Sequence, residues 1–271
     1  MTDPRPLIEA RFGHLPFEPP ADIPPALAAI LDRRVTRRYK PDAIPEPLLA
    51  TILAAAQSAP SKSDMQQLSI VVLQDKARIA AIADWIGTMP WIKDAPVLLI
   101  FCADIRRNRD ITARAGREHA NDNLDTILNA TVDSALAMGM TIAAADAAGL
   151  GTCPISYVRN HLEKVGPLLS LPKGVFPIAG LSLGWPVSRN EPSARLPPSV
   201  VIHRDRYSAE GEEAALAAYD AHREKAKPRY PEVHGPAPEG CSWTENVARQ
   251  LSVPERAGFR AWLKSRGFAL D

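Results

Sequence analysis

Apolar residues recur along this chain with two periods. Leu48, Leu49, Ile52 and Leu53 keep helical spacing, and Pro45-Glu46-Pro47 before them suits a helix start, so a helix is predicted to run to Gln57. A shorter helix follows Pro24-Pro25 and ends near Arg34, before the break at Pro41. Further helices are predicted at about 75–86, 121–149, 160–169 and 209–226. Between them lie short apolar runs rich in β-branched residues, at 68–73, 97–101 and 178–183. Such runs read as strands buried on both faces. Val200-Val201-Ile202-His203 reads as one more short strand. Helices and strands mix without strict βα alternation, which favours an α+β fold over a doubly wound sheet.

The longest apolar stretch, 124–150, has the length of a membrane span. Asp125, Asn129, Asp133 and Asp146 interrupt it, and each would be costly in hydrocarbon. It is read instead as the central packing helix of a soluble protein, at a subunit interface, with Gly149 as its C-terminal stop. Residues 1–21 are rich in proline and are expected to wrap the surface, and 228–240 reads as an exposed loop. Ser242 and Glu245 form a capping box for a helix starting at Trp243. In the final helix Phe259, Trp262, Leu263 and Arg266 share a face, and Gly267 ends it.

Composition narrows the classes of function. With 271 residues and 46% hydrophobic content, a sizeable core is available. Lys+Arg is 32 against 31 Asp+Glu, a net charge of +1, which argues against a dedicated nucleic-acid binder. The three cysteines, Cys102, Cys153 and Cys241, form no C-x-x-C pair, so a reduced, cytoplasmic setting is expected. The start of the chain has no apolar run after basic residues, so no secretory signal is read there.

Three segments carry candidate chemistry. The first is Arg33-Arg34-Val35-Thr36-Arg37-Arg38-Tyr39. Alone, such a cluster is ordinary at a solvated helix end, where cations complement the dipole. The second is Ala59-Pro60-Ser61-Lys62-Ser63-Asp64, a loop of small polar residues able to approach a ring edge. The third runs from Gly149-Leu150-Gly151-Thr152-Cys153-Pro154 through Leu183-Gly184-Trp185-Pro186 to Arg195-Leu196-Pro197. Guanidiniums grip phosphate in bidentate fashion, and glycines allow close backbone approach. Together the three favour a site for a phosphate-bearing planar cofactor. Cys153 has no histidine nearby in sequence to activate it and reads as a packed, inert residue. The six histidines show no metal-ligand spacing, and neither a G-x-S-x-G elbow nor a P-loop is found.

In order and spacing these segments, with Phe101-Cys102-Ala103-Asp104 and the tail from Ser242 to Phe268, resemble the FMN-dependent nitroreductase family. The likeness is greatest to its larger NADPH-preferring, oxygen-insensitive nitroreductase and flavin reductase branch. It covers residues 26–210 and, less closely, 242–270. The resemblance implies a central, mostly antiparallel sheet flanked by helices in an intertwined homodimer, with FMN sites built from both chains. It divides the chain into an N-terminal extension (1–25), an FMN-binding domain (26–208) and a helical excursion with tail (209–271).

Carried over by position, Arg33, Arg34, Val35 and Arg37 line the FMN phosphate, ribityl chain and pyrimidine edge. Ser61, Lys62 and Ser63 come from the partner chain. Pro154, Ile155, Ser156 and Tyr157 lie against the ring, and Arg195 holds the phosphate. Arg223, Lys225, Lys227 and Arg229 are the implied NADPH contacts. The implied reaction is ping-pong reduction of nitroaromatics, quinones or related acceptors, with hydride passing through flavin N5. No protein nucleophile is needed; Arg37 lends electrostatic support to the reduced flavin.

The chain departs from the family pattern at four places: Val35 for serine, Asp64 for asparagine, Ser156-Tyr157 for a glycine pair, and Ser193 for a basic residue. Two alternatives therefore stay open. One is an FMN-binding protein with little NAD(P)H turnover; the other is a flavin enzyme oxidising a specialised substrate.

Overall fold

A computed structural model describes residues 1–223 and 239–271. Their contacts divide the chain into two compact units, one of residues 1–34 and 190–255, the other of 35–189 and 256–271. The boundaries placed at 25/26 and 208/209 from the sequence both fall inside the first unit.

The second unit is built on a four-stranded antiparallel sheet of order β1-β2-β4-β3, with β1 at Leu68–Leu73, β2 at Val97–Asp104, β3 at Gly151–Ile155 and β4 at Val175–Gly184. The two central strands are buried at every position. Side chains alternate across β2, so Val97, Leu99, Phe101 and Ala103 enter one core and Leu98, Ile100 and Cys102 the other. The first core is completed by helices at Glu46–Gln57, Leu124–Ala147 and Phe259–Ser265, the second by the helix at Lys76–Ile86.

In chain order the helices are α1 (Arg5–Phe12), α2 (Pro25–Leu31), α3 (Glu46–Gln57), α4 (Lys76–Ile86), α5 (Arg106–Arg114), α6 (Leu124–Ala147), α7 (Leu162–Leu168), α8 (Pro198–Val201), α9 (Glu212–His222), α10 (Trp243–Leu251) and α11 (Phe259–Ser265). Local signals set several ends. Asp75 caps α4 by accepting from the Ala77 and Arg78 N–H groups. Gly149, at φ 78°, ends α6, with Leu150 N–H returning to the Ala145 carbonyl. Ser242 caps α10 by accepting from Glu245 N–H, and Gly267, at φ 79°, follows α11.

Four expectations are corrected. Residues 200–203 do not form a strand: Pro198 sits at the first turn of α8, where its fixed φ starts a helix despite the β-branched residues. The proline-rich start contains α1, which Pro6 opens and Gly13 closes at φ 77°. Residues 151–155, assigned no element from the sequence, form edge strand β3, with β4 on one side. Strands β2 and β4 run longer than expected, to Asp104 and from Val175. Helix α5 had no apolar signature to read, because it is a polar helix held by ion pairs such as Arg106–Asp110 (2.5 Å) and Arg109–Asp122 (2.6 Å). Residues 228–238 of the expected loop and 224–226 of the expected helix lie outside the described residues.

Candidate cofactor site

Residues 35–40 pair first with Thr152 on the outer edge of β3 and then with residues 185–187, just past β4. Thr36 N–H donates to the Thr152 carbonyl (2.8 Å), Lys40 N–H to Trp185 (2.8 Å), and Val187 N–H to Arg38 (3.0 Å). Thr36 and Tyr39 point inward and are buried, whereas Arg37 and Arg38 are exposed. The Tyr39 hydroxyl donates to the Thr36 carbonyl at 2.7 Å and lies 2.7 Å from Ser182 Oγ. Burial pushes its phenol pKa upward.

Glycines make this approach possible. A Cβ at Gly151 would lie 2.2–2.7 Å from Thr36, and one at Gly184 would meet Pro96 at 2.5 Å and Tyr39 at 2.9 Å. The glycines at 151 and 184 are thus gaps into which the arginine-bearing segment fits. At the end of β3, Pro154 is exposed and Ile155 buried, and just beyond it Ser156 is exposed and Tyr157 half-buried. Cys153 is buried, as expected of an inert residue.

The other unit gathers Arg33, Arg34 and Arg195 around Arg11 from α1. Arg11 Nε donates to the Leu31 carbonyl (3.1 Å), Nη1 to Ser193 (3.1 Å), and Nη2 to Arg33. Arg195 N–H returns a bond to the Arg11 carbonyl at 2.9 Å. Arg34 pairs with Asp32 at 2.7 Å and donates to the Asn190 carbonyl at 2.9 Å. Burial, then the nearby charges of Arg195 and Arg33, lowers the pKa of Arg11 from its ordinary value. Arg11 was not among the residues expected to act. A lone arginine on a short N-terminal helix carries no sequence signal.

The loop of residues 61–67 depends on Asp133 of α6, only 1% exposed. Its carboxylate accepts from Ser61 Oγ (2.7 Å), Lys62 N–H (3.0 Å) and Gln67 N–H (3.0 Å). Ser61 Oγ also accepts from Gln66 N–H at 2.7 Å. The Ser61 hydroxyl and the Lys62 N–H are therefore committed to Asp133. Ser63, Asp64 and Gln66 have φ between 51° and 56°, in the left-handed region that non-glycine residues adopt at a cost. Asp133 had looked like an interruption of an apolar helix. A carboxylate there is the sequence signal of a buried acceptor that must find donors.

Within the sheet-bearing unit the expected residues fall into two groups. Val35 and Arg37 lie beside β3, whose end carries Pro154, Ile155, Ser156 and Tyr157. Ser61, Lys62 and Ser63 precede β1, at the opposite edge of the sheet. Three strand spacings, about 14 Å, separate those edges. Arg223 caps α9 and stacks on Tyr219, 5.9 Å from the ring centroid. Lys225, Lys227 and Arg229 lie outside the described residues.

Comparison with known proteins decides the family. The Nitroreductase family model matches residues 30–185, and that of the Nitroreductase family C-terminal domain matches 193–271. The chain belongs to the nitroreductase family. This nitroreductase is 33% identical to FMN reductase [NAD(P)H] of Bacillus subtilis, with 90% of the chain and 98% of the relative aligned. It is 30% identical to the oxygen-insensitive NADPH nitroreductase of Salmonella typhimurium, over 90% and 98% of the two chains. Among solved structures it resembles the NADPH:FMN oxidoreductase of Vibrio harveyi complexed with NAD+, with a TM-score of 0.78 at 27% identity, covering 90% and 98%. The antiparallel sheet and α+β class expected from the sequence agree with these relatives.

Proposed function

We propose that this nitroreductase is an FMN-dependent NAD(P)H oxidoreductase that reduces nitroaromatics, quinones or related acceptors. The observation that carries the reading is the gathering of Arg11, Arg33, Arg34 and Arg195, where one carboxylate, Asp32, already pairs with Arg34. Such an excess of positive charge, running from buried Arg11 through half-buried Arg33 and Arg34 to exposed Arg195, fits a phosphate dianion. The names of the relatives, with FMN and NADPH in them, support the same cofactor and co-substrate.

The roles assigned to the chain's own residues follow from their placement. Arg33, Arg34 and Arg195 hold the phosphate. Val35 and exposed Arg37, fixed on the edge of β3, face the cofactor's polar edge, and Arg37 supplies positive charge there. Pro154, Ile155, Ser156 and Tyr157 shape the wall next to it. Bound FMN supplies two-electron chemistry between NAD(P)H and the acceptor. Arg223, Lys225, Lys227 and Arg229 are assigned to NADPH.

The active species is a homodimer in this reading. Ser61, Lys62 and Ser63 lie across the sheet from the β3 edge, so a second copy must bring them to the site. Helix α6 carries the surface to do so: Leu124, Leu128, Val132, Leu136 and Met140 recur every four residues and are exposed. The helix is long and apolar enough to span a membrane by length and composition. However, Asp133 on it is buried and bonded within the protein, and the enzyme is read as soluble and cytoplasmic. Its cysteines are buried and form no disulfide among the described residues.

Initial rates of NADPH oxidation, measured against a benzoquinone and a nitrofuran at several NADPH concentrations, test this reading. Parallel double-reciprocal lines are expected from alternate occupation of one site. Absence of NAD(P)H oxidation with every acceptor would contradict it.

A further inference from the structure

Helix α1 lies outside the 30–185 and 193–271 spans that match the family. It nevertheless delivers the most buried guanidinium of the arginine cluster: Arg11 is 8% exposed. Burying a guanidinium demands compensation. Here its hydrogen bonds all go to backbone carbonyls, on Leu31, Arg33 and Ser193, while the Asp32 carboxylate acts on it only through its charge. Those carbonyls belong to segments far apart in sequence, the approach to Arg33 and the approach to Arg195. The return bond from Arg195 N–H to the Arg11 carbonyl closes the link. Arg11 thus sets the spacing between two phosphate-binding side chains while adding its own positive charge beside them.

Resting on the FMN reading above, we propose that Arg11 is a positioning residue for the cofactor phosphate. It fixes the backbones of Arg33 and Arg195 as one clamp, so phosphate binding is coupled to the docking of α1. Two features of the geometry select arginine for this post. Lysine carries the charge but has no planar fork to reach three carbonyls in different directions. Glutamine has neither the charge nor the reach.

The experiment is fluorescence titration of apoprotein with FMN and with riboflavin, which lacks only the phosphate, in the wild type, Arg11→Lys and Arg11→Gln. The wild type is expected to prefer FMN. Arg11→Gln is expected to weaken FMN binding about thirtyfold and leave riboflavin binding unchanged, with Arg11→Lys close to Arg11→Gln. Equal weakening of both ligands, or an Arg11→Lys protein indistinguishable from wild type, would overturn the clamp. A wild type that does not prefer FMN would overturn the phosphate reading itself. Should a variant fail to fold, hydrogen exchange on wild type decides. FMN, but not riboflavin, is expected to slow exchange in α1 and at Arg195 N–H; equal protection by both would overturn the proposal.

Discussion

Residues 35–40 and residues 61–67 both carry expected cofactor contacts, yet they are held in opposite ways. The first segment is bonded backbone to backbone along β3 and β4 and fits into gaps left by Gly151 and Gly184. Its outward side chains, Arg37 and Arg38, are exposed. The second hangs largely on side chains, with Asp133 accepting three donors and Arg107 and Asn108 donating to the Gln66 and Met65 carbonyls, and it keeps three residues at left-handed φ. Steric fit tolerates change at exposed positions and fails when a gap is filled. A buried acceptor such as Asp133 gathers a loop that has no ladder of its own, and fails when its carboxylate is removed.

The sharpest way to break the comparison is Asp133→Ala. Three donors lose their acceptor in a buried place, and a stability loss of about 4 kcal/mol is expected in urea unfolding. A loss below about 1 kcal/mol would show that the bonds from Arg107 and Asn108 hold the loop without Asp133. Next is Gly151→Ala, whose Cβ would overlap Thr36; a loss of about 3 kcal/mol and weaker FMN binding are expected, since the shift carries Val35 and Arg37 with it.

Alkali should act on the sheet and the first segment. Burial pushes the Cys102 thiol up to about 12, and the Tyr39 phenol is also raised. The folded state therefore keeps protons that the unfolded chain releases. Stability is full below the ordinary thiol pKa of about 8.5 and falls from there towards pH 12, by at most about 1.4 kcal/mol per pH unit for each group. Cys102→Ala should flatten that slope in chemical unfolding between pH 9 and pH 11. The smallest expected effect is Tyr39→Phe at neutral pH, about 1 kcal/mol, because backbone bonds still hold the segment.

Much of this arrangement was legible in the sequence where one local rule acts alone. Helices α3, α4 and α6 announce themselves by period, caps and glycine stops, and β1 by its β-branched run. The arginine segment, the small-residue loop and the late Arg195 were visible as parts. What joins them was not. Arg11 acts through carbonyls 20, 22 and 182 positions away, a relation that no local pattern encodes. Strand β3 was hidden because its Gly151 and Pro154 are poor strand formers, the glycine serving to admit Thr36. Helix α8 was misread because two prolines outweighed the strand propensity of Val200 and Val201.

The central claim is that this nitroreductase holds FMN that NAD(P)H reduces. The visible absorption spectrum of the purified protein, recorded anaerobically before and after adding NADPH, tests it most directly. The account predicts flavin bands that NADPH bleaches and that return when a quinone is added. Flavin bands that persist in NADPH and NADH alike would contradict it.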